Sequence, residues 1–201
     1  ALTMGVSERE VQCVLLQASG DVAAGAEATR TGSVADVPVG EALLGRVIDP
    51  LGVPLDGQPA AKTDRRDPVE RPAPGIVDRD FVSEPLATGI TVVDSMIPLG
   101  RGQRQLIIGD RKTGKTTIAV DTIINQRDTD VIAIYVSVGQ KDSGVAQVMD
   151  EIREHGAFDR AVFVVGRADA TPGLQWLAPY AGCAIAEYFR DQGKHALLVL
   201  D

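Results

Sequence analysis

The chain has 201 residues, 44% hydrophobic and 24% charged, which suits one folded domain or one domain with a small partner and excludes a disordered chain, a collagen or a disulfide scaffold. With 20 Lys and Arg against 28 Asp and Glu, the net charge of −8 argues against general affinity for nucleic acid or anionic lipid. No apolar stretch approaches the roughly 20 residues that span a bilayer, the N-terminus lacks a charged-then-apolar leader, and the two cysteines, Cys13 and Cys183, fit a reducing compartment.

Residues 1–40 read as β-structure. Val11–Leu16 predicts a short strand, Gly20, Gly25 and Gly32 stand at turn positions, and Val34, Val37 and Val39 predict a further strand around Pro38. Three strands or so make a poor core alone, so this stretch is expected to be part of a small β-domain. Residues 41–201 are expected to form a second domain. Seven of the eleven prolines lie between Pro50 and Pro85, so residues 50–85 predict an extended connector with little regular structure. From about residue 90, apolar runs alternate with helical periodicity. Gln105–Ile108 predicts a buried strand, Lys115–Gln126 a helix and Val131–Val138 a second strand. Val145, Val148, Met149 and Ile152 then recur at i, i+3, i+4 and i+7, as a helix requires. Ala161–Val165 predicts a third strand, residues 174–192 a helix interrupted by Pro179, and Ala196–Leu200 a fourth strand. Continuous apolar strands alternating with helices define an α/β fold, a parallel sheet covered on both faces. The chain starts at Ala1 and stops at Asp201 directly after an apolar run, so it is expected to be a piece of a longer protein with one sheet edge left open.

Charge is uneven. Residues 1–100 hold 8 Lys and Arg against 15 Asp and Glu, whereas Arg101, Arg104, Arg111, Lys112 and Lys115 fall within fifteen residues opposed only by Asp110. A local cationic cluster on an acidic chain points to a site for one compact anion. Within it, Gly109-Asp110-Arg111-Lys112-Thr113-Gly114-Lys115-Thr116 matches G-x-x-x-x-G-K-[ST] at every fixed position, after an expected strand and before an expected helix. The glycines let the backbone wrap a phosphate without Cβ clashes, so successive N–H groups and the helix N-terminus face the anion. Lys115 would reach the β- and γ-phosphates and the Thr116 hydroxyl would ligate Mg²⁺. Asp201, closing the fourth strand, is placed to hold the same ion through water.

Hydrolysis needs a group that orients or deprotonates the attacking water. At the end of the second strand stand Val138-Gly139-Gln140-Lys141, and Gln140 can accept a hydrogen bond from water but cannot take its proton. Asp142 lies two residues further on and would need a bent loop. The sequence favours binding without efficient turnover.

Further motifs carry a family resemblance. Glu84-Pro85-Leu86-Ala87-Thr88-Gly89-Ile90 and Pro98-Leu99-Gly100-Arg101-Gly102-Gln103-Arg104, running into the loop at Gly109, resemble the alpha subunits of F-type ATP synthases. Val37–Val47 upstream, Gly139-Gln140-Lys141 and Leu177–Cys183 downstream match the same family, so the resemblance runs from about Thr31 to Asp201. It implies a partial N-terminal β-barrel at residues 1–40 and a truncated RecA-like P-loop domain at 41–201. It also implies ATP or ADP as ligand with Mg²⁺, and Thr117 beside Lys115 and Thr116 at the phosphates. The implied site is non-catalytic, because Gln140 stands where catalytic beta subunits carry glutamate. The implied partners are beta subunits alternating in a ring of six, a central shaft and a peripheral stalk. The complex would lie on the cytoplasmic face of a bacterial plasma membrane and couple ATP to proton or sodium transport. Lys112, where such subunits usually have glutamine, and Lys141-Asp142-Ser143-Gly144 depart from the pattern and point to an atypical branch.

Other residues read as structural. His155 and His195 lie forty residues apart with no ligand cluster. Cys13 and Cys183 are expected as small core residues, Trp176 and Tyr180 as a helix–core pair, and Glu151 and Glu154 as solvated charges. Two other functions compete. A catalytic hexameric motor of the same fold, a secretion ATPase or a Rho-like helicase, is opposed by Gln140 and the acidic charge; a partner-binding β-module is opposed by the intact phosphate loop.

Overall fold

A computed structural model describes residues 1–17, 20 and 22–201. β1 (Leu2–Val6) and β2 (Val11–Val14) form an antiparallel hairpin. β3 (Asp36–Val39) and β4 (Arg46–Ile48) follow, and β5 (Arg65–Pro68) returns to pair antiparallel with β3, setting Pro38 opposite Arg66. β6 (Pro85–Leu86), a short helix α1 (Thr91–Met96) and β7 (Leu99–Gly100) make a small ribbon. The remaining elements are α2 (Lys115–Asn125), β8 (Ile132–Val138), α3 (Asp142–Glu154), β9 (Ala161–Gly166), α4 (Pro172–Asp191) and β10 (Ala196–Leu200).

The main sheet has the order β10-β8-β9-β4, and all its pairings are parallel. Alternate strand residues point to opposite faces, and both faces are covered. Ile132, Ile134, Val136, Val162 and Val164 pack with Leu177, Ala181, Ile185 and Phe189 of α4, joined by Val37 and Val39 of β3. Ala133, Tyr135, Phe163 and Val165 pack on the other face with Val120 and Ile123 of α2 and Val145, Val148 and Ile152 of α3. This is the expected α/β sandwich, and it brings the strand ends Val138, Gly166 and Leu200 to one carboxyl edge, where ligands of open parallel sheets bind.

The sheet reaches four strands by an unexpected route. Gln105–Ile108 forms no strand, and Leu106 and Ile108 are 76% and 86% exposed. A short run has no internal hydrogen bonds to hold it extended and needs a ladder partner; β10, at the sheet edge, pairs with β8 alone. The fourth place is taken by β4, anchored where Gly45 donates its N–H to Ala161 O at 2.8 Å. Val47 then faces the α2/α3 side and Ile48 the α4 side.

Some smaller expectations also change. Pro179 does not interrupt α4, which runs unbroken over 20 residues. The buried residues along that helix compensate the single hydrogen bond a proline withholds. The connector at 50–85 contains β5, because pairing with β3 gives its backbone a partner the composition does not reveal. Cys13 and Cys183 are both exposed. Cys13 lies on an uncovered ribbon, and Cys183 falls between the buried pairs Ala181–Gly182 and Ala184–Ile185, on the outward side of α4. Trp176 and Tyr180 do pair, with ring centroids 4.5 Å apart and planes tilted by 39°; Tyr180 packs against the core while Trp176 is 40% exposed.

Candidate functional site

The phosphate-loop sequence ends at α2, whose N-cap Gly114 holds φ 91°, a left-handed backbone that glycine adopts without a Cβ penalty. Lys112 also has positive φ, 63°. The loop is curled on itself. Lys115 Nζ donates to Gly109 O at 2.8 Å and to Asp110 O, and Thr113 Oγ1 donates to Asp110 O at 2.8 Å. A Cβ at Gly109 would meet Thr113 Oγ1 at 2.8 Å, so the first glycine permits this curl. The ammonium thus rests on the carbonyls of its own loop, at the place where an anion would take it over. Arg111, Lys112 and Thr117 are exposed around it.

Asp201 extends the β10 ladder one residue, its N–H donating to Val136 O at 2.9 Å and its carbonyl accepting from Val138 N at 2.8 Å. Its side chain is therefore fixed at the carboxyl edge. Asp201 Oδ2 accepts from Thr116 Oγ1 at 2.9 Å and from Tyr135 Oη at 2.8 Å. Residues 85 positions apart thus meet. A threonine hydroxyl and a carboxylate are hard oxygen donors, which suits Mg²⁺, an ion that keeps several waters and uses one or two protein oxygens besides phosphate. Among the described residues, no group of three or more His, Cys, Asp or Glu is gathered as a metal cage.

Gln140 follows β8 at the same edge. Gly139 donates to Gly166 O at 2.7 Å, tying this loop to the end of β9. Burial, reinforced by the hydrogen bond to Asp201, pushes the Tyr135 hydroxyl well above its ordinary value, so it stays a donor at neutral pH. Asp142 opens α3 and is paired with Arg167 at 3.0 Å. Two residues of this edge, Tyr135 and Arg167, escaped the sequence reading. The signal for Tyr135 was a phenol inside an apolar strand, whose hydroxyl must find a partner.

Not every cation of the cluster belongs here. Arg101 pairs with Asp130 at 3.0 Å and Glu84 at 3.6 Å, and His195 lies 3.8 Å from Asp130. Asp130 and His195 precede β8 and β10, so this group sits at the amino edge, about 20 Å of strand away from Asp201.

A parallel sheet with a glycine-rich loop capping a helix, and a carboxylate from a neighbouring strand end beside that helix's first threonine, defines a P-loop nucleotide-binding fold. Residues 89–201 match the ATP synthase alpha/beta family, nucleotide-binding domain. The chain belongs to that family. It is 58% identical over 188 residues to "ATP synthase subunit alpha 1" of Paraburkholderia xenovorans, covering 94% of this chain and 37% of that protein. "ATP synthase subunit alpha 2" of Burkholderia thailandensis is 55% identical over 98% of this chain and 35% of its own length. The corresponding protein of Cereibacter sphaeroides is 52% identical over 100% of this chain and 40% of its own. The chain thus spans between 29% and 40% of the length of the curated relatives it matches.

Proposed function

We propose that this chain is the nucleotide-binding part of an F-type ATP synthase alpha subunit, whose site holds ATP or ADP with Mg²⁺ and does not turn it over. Lys115 and the N–H groups opening α2 bind the phosphates, within the loop Gly109, Asp110, Arg111, Lys112, Thr113 and Gly114, with Thr117 beside them. Thr116 and, through water, Asp201 hold the cation, which neutralises phosphate charge when bound. Gln140 orients water without accepting its proton, and Asp142 is engaged by Arg167. The observation that carries this reading is the junction of Thr116 with Asp201 beside a lysine resting on loop carbonyls.

As an alpha subunit of an ATP synthase, it would assemble with beta subunits in an alternating ring of six, with a central shaft and a peripheral stalk. It would lie peripherally on the cytoplasmic face of a bacterial membrane, in a complex that moves protons or sodium ions. No helix among the described residues is long and apolar enough to cross a membrane. Residues 1–40 would belong to an N-terminal β-barrel and 41–201 to the nucleotide-binding domain.

The test is Mg-ATP binding by the protein at its natural full length, with phosphate release followed in parallel. Wild type should bind without release, and Gln140→Glu should gain release when a beta partner completes the site. Release by wild type alone would overturn the non-catalytic reading in favour of a motor. Lys115→Ala should weaken nucleotide binding about 10- to 100-fold, the worth of one charge-assisted contact.

A further inference from the structure

Tyr135 is fully buried, its ring among the side chains between the sheet and helices α2 and α3, 6.1 Å from the Phe163 ring. Its hydroxyl nevertheless emerges at the carboxyl edge and donates to Asp201 Oδ2 at 2.8 Å. The same oxygen accepts from Thr116 Oγ1 at 2.9 Å. A carboxylate oxygen has two lone pairs, so these two donors fill Oδ2 and leave the lone pairs of Oδ1 open.

We infer that Tyr135 is a positioning residue for the nucleotide site, fixing the rotation of the Asp201 carboxylate. The inference rests on the proposed nucleotide-binding function and goes beyond the loop residues and Asp201. Two donors hold Asp201, and they differ in permanence. Thr116 opens a helix next to the ligand, and its oxygen is the one a cation would recruit. Tyr135 hangs from a ring locked by packing, with few rotamers open to it. When Thr116 turns to a ligand, Tyr135 still holds Oδ2 and Oδ1 keeps its aim. Without the phenol hydroxyl the carboxylate would be free to swing. The anion-binding half of the site, Lys115 and the loop backbone, would be untouched.

Tyr135→Phe tests this, because it keeps the buried ring and removes only the hydroxyl. The measurement is affinity for ATP with and without Mg²⁺, by calorimetry on the full-length protein, beside thermal unfolding. Metal-free ATP affinity should stay within about twofold of wild type, while the gain in affinity that Mg²⁺ confers should fall about tenfold, the worth of a hydrogen bond to a charged group. An unchanged Mg²⁺ gain would make Tyr135 a core residue only, and so would a parallel loss of metal-free affinity and melting temperature. A double-mutant cycle with Asp201→Asn gives a second measurement. If Tyr135 acts through Asp201, adding Tyr135→Phe to Asp201→Asn changes the Mg²⁺ gain no further, whereas additive losses overturn the inference. A wild type that binds no nucleotide would sink the functional reading itself, a failure visible before any variant is made.

Discussion

At the scale of single residues, the most buried charged pair among the described residues is structural rather than functional. Arg46 Nε and Nη2 grip Asp56 at 2.6 and 3.1 Å, Nη2 also reaches Pro59 O at 2.8 Å, and Asp56 accepts from the backbone of Val47 and Gln58. Both side chains are nearly buried, at 12% and 11% exposure. This clamp folds the chain after β4 back onto it, which steadies a strand of only three residues. The Arg46 guanidinium, with the two backbone donors, lowers the Asp56 carboxyl from 3.8 to about 2. A carboxyl depressed on folding contributes stability above its unfolded pKa and loses it as pH falls through the folded one. Asp56→Asn should therefore cost about 2 kcal/mol at neutral pH. The gap to wild type should close between about pH 4 and pH 2, followed by denaturant unfolding at each pH. A gap constant across that range would mean the pair contributes packing and no linkage.

At the scale of elements, α4 shows how closely a helix can be laid on a sheet. A Cβ at Gly182 would lie 2.3 Å from Val136 Cγ2, and one at Gly173 would lie 2.4 Å from Val14 Cγ1 and 2.8 Å from Leu15 O. Val136 is a buried, β-branched residue of β8 with one comfortable rotamer, so it cannot yield cheaply. Gly182→Ala should destabilise by about 1–3 kcal/mol, more than the helix propensity of alanine returns. Thermal unfolding reads this directly, and a raised melting temperature would show that α4 has room to lift. Because β8 also carries Tyr135 and leads into Gln140, the substitution should disturb the nucleotide site as well. The hydrophobic spacing of α3 was legible in the sequence, since Val145, Val148 and Ile152 are buried where it placed them. The glycines of α4 were not legible in that way: periodicity says which face turns inward, and only the partner surface says how near it comes.

At the scale of the whole molecule, packing is densest around β8 and β9 and thins toward the segment before the phosphate loop. Every residue of Ile132–Ser137 and Ala161–Gly166 is buried, while Ile76, Val77 and Phe81 are each more than 90% exposed. Hydrogen exchange should follow this gradient, slowest in β8 and β9 and fast across residues 76–82 and 104–108, where the backbone makes few ladder bonds. Slow exchange at 104–108 would instead mean that Leu106–Ile108 finds a ladder partner in solution.

What the sequence determined by itself was local. The phosphate loop, the helix it opens, the core strands β8, β9 and β10 and the alternation that makes the sheet parallel all follow from spacing, glycine placement and continuous apolar runs. Those signals sit within a few residues of the structure they dictate. Tertiary structure alone decided which segment fills the fourth place in the sheet, because β4 is three residues long and is held by Ala161 and Asp56 rather than by its own composition. It also sent Arg101 to the amino edge, gave Asp142 to Arg167, and set the Tyr135 hydroxyl on Asp201. Each of those pairings joins residues that the chain order keeps 25 or more positions apart. Which of several possible partners a charge or hydroxyl takes depends on the three-dimensional path between them, and no local pattern encodes that path.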